Sequence, residues 1–204
     1  MQRSREKKER ALGMKLFLKG ERCSSPKCAM VRRPNRPGIH GGKRRRALSE
    51  YGTQLLEKQR IRVSYGLREA QLAKIVKDSL GKTGAVGETI INYLERQLSN
   101  AIFRLGLASS RVVARQLINH GHFLVNGKKV TAPSCFVKAG DVISVKPSSQ
   151  NLLIFKDLLN KIKKYEPPEW LFLDKEKIEG RILSLPKDVE IPFDINLLVD
   201  YYSK

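Results

Sequence analysis

The sequence predicts an α+β protein: an N-terminal extended basic arm, a small helical bundle, a compact basic unit of helix and short strands, and a near-neutral C-terminal segment. Three observations carry that prediction. Apolar residues recur at helical spacing before Gly106, most clearly Ile90, Ile91, Leu94, Leu98, Ala101, Ile102 and Leu105. From Ser109 to Val145 the period changes from helix to strand around an Asn126-Gly127 turn. The charge is uneven as well. Residues 1–70 hold 20 Lys/Arg against 6 Asp/Glu, residues 71–149 hold 11 against 4, and residues 150–204 hold 9 against 10.

Each element has a local reason. Residues 1–48 contain Pro26, Pro34 and Pro37, seven basic residues between Arg32 and Arg46, and no helical stripe longer than two turns. An irregular arm that orders on its partner is expected there. Ser49 caps a helix from Glu50 to about Ser64, with Tyr51, Leu55 and Leu56 inward and Lys58, Arg60 and Arg62 mostly outward. A second helix runs from about Arg68 to Leu80 on Leu72, Ile75 and Val76, and Gly81 stops it. The long stripe from Ile90 to Leu105 forms the third helix of the bundle.

Ser109 then caps a short basic helix that buries Val113, Leu117 and Ile118 and places Arg111 and Arg115 on one face. Gly121 ends it. His122 to Val125 alternates into the Asn126-Gly127 hairpin turn, Lys128 and Lys129 follow, and Gly140-Asp141 turns the chain into Val142 to Val145. Beyond this, Asn151 to Lys164 reads as a helix, Trp170 to Leu173 and Arg181 to Leu185 as short strands, and Asp194 as the cap of a last helix through Leu197, Leu198 and Tyr201.

A formal charge of +20 makes a polyanion the default partner. No run of ~18 apolar residues is present for a bilayer span. The N-terminus lacks the apolar region of a secretory signal, and three cysteines make no disulfide framework, so a cytosolic protein is expected. Catalysis finds no purchase. The three histidines lie in basic segments, and Gly38 to Gly42 lacks the spacing of a phosphate-binding loop.

The segment from Leu98 to Val145 resembles the small RNA-binding module named after the fourth protein of the small ribosomal subunit. With LKGERC at 18–23, RRPNRPGIHG at 32–41, LSEYGTQLLEKQRIRVSYG at 48–66 and the terminal VDYYSK, the whole chain is similar to the bacterial small ribosomal subunit protein four family. The resemblance implies a helical domain completed by the chain's last segment, with the module inserted between. The expected boundaries are 1–48 for the arm, 49–96 for the helical domain, 97–150 for the module and 151–204 for the C-terminal segment. It implies a non-enzymatic constituent of the cytoplasmic ribosome that binds small-subunit ribosomal RNA early, at a multi-helix junction, and nucleates assembly of the subunit body. It further implies a place near the channel by which messenger RNA enters, a contribution to translational accuracy, and ribosomal proteins three and five as neighbours.

The candidate RNA-binding residues form three groups. Arg32, Arg33, Arg36, His40, Lys43, Arg44, Arg45 and Arg46 can bridge neighbouring phosphates, with Gly38, Gly41 and Gly42 allowing close backbone approach. Lys58, Arg60 and Arg62 form the helical group. Arg111, Arg115, Gln116, His120, Asn126, Lys128 and Lys129 form the module's surface, suited to phosphates, sugars and shape. Cys23 and Cys28 have the spacing of half a zinc site. The earlier Cys-x-x-Cys pair of many relatives falls at Glu6 and Glu9, so no cofactor is expected. Cys135 reads as core. Two rival readings stand beside this one. A module-bearing RNA-modifying enzyme, such as a pseudouridine synthase, would need a catalytic domain for which the chain leaves little room. A messenger-RNA-binding translational repressor could use the same surface.

Overall fold

The computed structural model describes residues 2–43, 47–82, 84–162, 165–187 and 189–203. Its helices are α1 (Gln2–Leu12), α2 (Glu21–Ser24), α3 (Ala29–Arg32), α4 (Glu50–Tyr65), α5 (Glu69–Leu80), α6 (Val86–Glu95), α7 (Leu98–Arg104), α8 (Arg111–Asn119), α9 (Leu153–Ile162) and α10 (Ile195–Ser203). The strands are β1 (Phe123–Val125), β2 (Lys128–Lys129), β3 (Val142–Val145), β4 (Leu171–Asp174) and β5 (Glu179–Ile182). They form two compact units, one of Met1–Ile90 with Glu190–Lys204 and the other of Ile91–Val189. The chain leaves the first unit within α6.

In the first unit, α4 starts as expected, with Ser49 Oγ accepting from the amide of Gly52, and stops at left-handed Gly66. α10 packs on α4 and α5. Asp194 caps it by accepting from the amides of Asn196 (2.9 Å) and Leu197 (3.4 Å). Lys58 is not outward. It is 5% exposed, its ammonium bonded to Glu69 (2.8 Å) and lying 4.1 Å from the ring centre of Tyr201. Tyr202 donates to the same Glu69 carboxylate. Tyr51 is the converse: expected inward, it is 57% exposed and stacks on Tyr201.

The arm also departs from expectation. α1 packs on α3 and α4, and Leu12, Leu16, Leu18, Cys23 and Cys28 are buried. Arg60 donates through Nε and Nη2 to the carbonyl of Leu12, fastening α4 to the end of α1. α1 has almost no apolar stripe, so its burial rests on the loop that follows it.

The second unit is a five-stranded antiparallel sheet of order β2-β1-β3-β5-β4 whose core includes Phe123, Ile143, Val145, Phe155, Leu171 and Ile182, with Leu98, Ile102, Leu117 and Ile118 from α7 and α8. Gly180 sits where a Cβ would collide with the side chain of Leu105, so strand and helix meet closely. β4 and β5 belong to this sheet. The C-terminal segment expected as one piece is thus divided: 151–189 extends the second unit, and only 190–204 returns to the first.

The long third helix is broken in two. Between α6 and α7, Gln97 bridges to Phe136, with the amide of Leu98 bonded to the carbonyl of Cys135 and that of Val137 to the carbonyl of Arg96. The apolar phase survives the break, so the sequence stripe hides it. Cys135 belongs to this loop and is exposed, not core. At the break lies Glu95, fully buried. Arg104 grips its carboxylate with two bonds (2.9 and 3.0 Å), and Asn100 donates to Oε2 (2.8 Å) and to the backbone oxygen.

Candidate nucleic-acid interface

The module's surface is built on α8 and the β1–β2 hairpin. The N-cap of α8 is Ser110, one residue later than expected, its Oγ accepting from the amide of Val113. The buried stripe is Ala114, Leu117 and Ile118, while Val113 is only partly covered. Gly121 closes the helix with a positive φ, and the amide of His122 returns to the carbonyl of Leu117. The stem of Lys129 crosses Gly121 so closely that a Cβ there would strike it. The helix end and the hairpin lysines are therefore adjacent. Exposed Gln116, His120, Lys128 and Lys129 share this region. His120 stacks near His122 at 6.0 Å. Burial, with repulsion from the neighbouring His120 and Lys146, pushes the His122 imidazole below its ordinary range. Its Nδ1 lies 2.9 Å from Ser149 Oγ.

Two candidates on this face have structural work. Arg111 donates from Nε to Asn100 Oδ1 (2.7 Å) and lies over the ring of Phe103 at 4.7 Å, which ties α8 to the Glu95 network on α7. Asn126 has φ +50 and Gly127 φ +74, as a type I′ turn requires. The Asn126 carboxamide donates to Asp141 (2.8 Å) and accepts from the amide of Val142 (2.9 Å), latching the turn to β3. Arg115 is half-buried on α8.

On the first unit, Arg32, Arg33, His40 and Lys43 are exposed and Arg36 partly so. Arg44, Arg45 and Arg46 lie outside the described residues. Arg10 holds this segment from behind, donating to the carbonyls of Asn35 (2.8 Å) and Arg36 (3.3 Å). Gly41 is needed by the chain itself, because a Cβ would collide with the carbonyl of Arg36. Of the α4 group, Lys58 is buried, Arg60 is committed to Glu57 and Leu12, and Arg62 approaches Glu69 at 3.5 Å. Sequence reasoning missed Arg10, whose role depends on contacts about 25 residues away in the chain.

In the cysteine loop the nearby carboxylates are engaged by the chain itself. Glu9, 1% exposed, accepts the amides of Leu16 (3.2 Å) and Leu18 (3.0 Å), and Glu6 pairs with Lys19 and Arg22. Burial, only partly offset by the bond from the Lys19 amide, pushes the Cys23 thiol up and keeps it protonated. Among the described residues no three His, Cys, Asp or Glu side chains are placed to hold an ion. No described helix is long and apolar enough to cross a membrane.

A helical unit with an exposed basic segment, and an α/β unit presenting lysines beside a helix end, define a protein of the nucleic-acid-binding class. Residues 1–95 match the family described as ribosomal protein S4/S9 N-terminal domain, and residues 96–143 match the S4 domain. The chain is 45% identical over 194 residues to small ribosomal subunit protein uS4 of Syntrophomonas wolfei, covering 94% of this chain and 93% of that one. It is 47% identical to uS4A of Alkaliphilus metalliredigens over the same shares. Against uS4 of Gloeobacter violaceus it is 45% identical over 197 residues, 96% of this chain and 94% of that one. The chain belongs to the small ribosomal subunit protein uS4 family.

Replacing Arg111 by Ala leaves buried Asn100 without its donor and should lower the unfolding free energy by about 1–3 kcal/mol. Lys128→Gln with Lys129→Gln, on the exposed turn, should stay within about 0.5 kcal/mol per site. Denaturant unfolding of the full chain measures both, and equal effects would remove the structural role of Arg111.

Proposed function

We propose that this chain is a structural, non-enzymatic constituent of the small ribosomal subunit that binds its ribosomal RNA through two separately folded basic surfaces. The observation that carries this reading is the match to the uS4 family along nearly the whole chain. The distribution of charge supports it: the exposed cations of the 32–43 segment and of the module turn belong to regions of net +14 and +7, while residues 150–204 are near neutral. The mechanism is electrostatic capture followed by fitting of shape, because A-form RNA offers side chains phosphates and 2′-hydroxyls more readily than base edges. Ribosomal proteins, with three and five as the expected neighbours, complete its surroundings in the cytoplasmic ribosome. Early binding at a multi-helix junction, nucleating the subunit body, is part of this proposal.

Affinity for small-subunit RNA should fall steeply with salt. Neutralising 6–10 phosphates corresponds to a loss of roughly 10³–10⁵ between 50 and 200 mM on the scale set by duplex DNA. Filter binding combined with nuclease footprinting checks it, and a flat salt response on the footprinted RNA would refute the reading.

The Lys43 to Arg46 run is proposed to reach messenger RNA where it enters, with a consequence for accuracy. Neutralising these four charges should slow unwinding of structured messages more than it slows subunit assembly, and equal losses in the two assays would remove the separate role.

The N-terminal loop is proposed to work without zinc, because its Glu9 and Glu6 carboxylates are already committed to amides and cations. Metal analysis of the purified protein should give well under one equivalent; one tightly held zinc would contradict this.

A further inference from the structure

The sequence holds a single Asn-Gly pair, Asn126-Gly127, and it stands exposed at the tip of the β1–β2 hairpin. An asparagine before glycine is open to attack by its own backbone, because no side chain on the glycine hinders the approach of its amide nitrogen to the carboxamide. The space here is open too. A Cβ at Gly127 would meet no atom within 4 Å, and among the described residues no acceptor takes the Gly127 amide.

What holds the reaction off is the latch to β3. The Asn126 amide donates to the carbonyl of Val142 (2.8 Å), its Oδ1 accepts from the amide of Val142 (2.9 Å), and its Nδ2 donates to Asp141 Oδ1 (2.8 Å). Asp141 is itself fixed, its other oxygen accepting from the amide of Lys138 (2.7 Å). Backbone and both ends of the carboxamide are thus tied toward β3. Ring closure requires the carboxamide carbon to swing onto the next nitrogen, which these bonds oppose.

We propose that Asn126 is a deamidation site that stays closed while the hairpin is latched and that, once converted, leaves it unlatched for good. When the hairpin opens, the Gly127 nitrogen bonds to the side-chain carbon of Asn126. The bond from that carbon to Nδ2 breaks, and ammonia leaves with the proton given up by the Gly127 amide. Water then opens the cyclic imide at either carbonyl, leaving aspartate or isoaspartate, and nothing is oxidised or reduced. Aspartate sets a carboxylate against Asp141 where an amide donated, so an attraction becomes a like-charge contact. Isoaspartate adds a backbone carbon to a two-residue turn whose length fixes the register. Either product places a negative charge beside exposed Lys128 and Lys129 and so weakens the turn's hold on a polyanion. That consequence, though not the chemistry, rests on the ribosomal RNA reading above.

The test incubates the full-length protein in neutral buffer, both folded and unfolded in urea, beside the variant Asp141→Asn. The one side-chain oxygen of that variant cannot serve both the Lys138 amide and Asn126, and circular dichroism confirms its fold. Conversion is read at residue 126 by the mass change of NH2 to OH in peptide maps and by isoaspartate methyltransferase labelling. The unfolded chain should convert fastest. Asp141→Asn should convert about tenfold or more faster than the folded wild type, the change in open fraction expected on losing a hydrogen bond to a charged acceptor. Folded wild type that converts as fast as the unfolded chain, equal rates in wild type and variant, or no conversion in urea would each overturn the proposal. The urea comparison needs no variant. Converted protein, separated by its added negative charge, should exchange the amide of Val142 about tenfold or more faster than unconverted protein. Unchanged protection there would overturn the unlatching. Every readout is taken without RNA, so absence of salt-dependent RNA binding would bring down the ribosomal RNA reading as a separate result.

Discussion

In a chain with 40 basic and 20 acidic side chains the few carboxylates are valuable anchors, and three of those among the described residues are buried where donors converge. Glu9 gathers the amides of Leu16 and Leu18, Glu57 joins Arg60 to the amide of Asp194, and Glu95 joins Arg104 to Asn100. A buried charge is tolerated only when it is paired and hydrogen-bonded, and removing either partner strands the other. Removing one partner of any of these sets would therefore leave a buried group uncompensated. Glu57 ties the last helix and α4 together. Glu95 is linked to α7 through Asn100, and Asn100 to α8 through Arg111.

That constraint sorts the cations. Lys58, Arg60, Arg104 and Arg111 have partners inside the protein, and their charge is largely answered there. Arg32, Arg33, Lys43, Lys128 and Lys129 stand exposed. The second set presents its charge to a polyanion more fully than the first. Two such surfaces on one chain also reinforce each other on any RNA that engages both, since the second contact is made at a high effective concentration.

The legible parts of the sequence were those decided locally. Ser49 and Asp194 cap the helices they precede, Asn126-Gly127 makes its type I′ turn, and the hairpin and β3 fall close to where alternation places them. What escaped was decided at a distance. The bridge between Gln97 and Phe136 breaks a helix whose stripe stays in phase across the break. Charge and helical phase make Lys58 and Arg111 look like solvent-facing cations, yet Tyr201, 143 residues beyond Lys58, and Phe103 on the preceding helix cover them. β5 was read late because Gly180, which its packing against Leu105 demands, weakens the local strand signal. The three candidate groups were legible as charge. Which members are exposed was not.

The N-terminal loop joins these threads. Glu6 and Glu9 are three residues apart on α1 and so lie on one side of the helix. Glu9 reaches into the protein and closes the loop over residues 16–18, while Glu6 reaches along it to Lys19 and Arg22. The first bond set gives a nearly stripe-less helix a reason to pack, and the second joins that helix to Lys19 and Arg22. Two carboxylates thus close the loop and pair with its cations. Hydrogen bonding to Lys19, strengthened by the charges of Lys19 and Arg22 against a smaller opposing effect of burial, holds the Glu6 carboxyl below its usual range. Its contribution is therefore complete above the ordinary glutamate range and fades only as the pH falls through that lowered value. Throughout the physiological range the pairs of Glu6 with Lys19 and Arg22 persist, and the basic segment from Arg32 to Lys43 follows directly on this folded base.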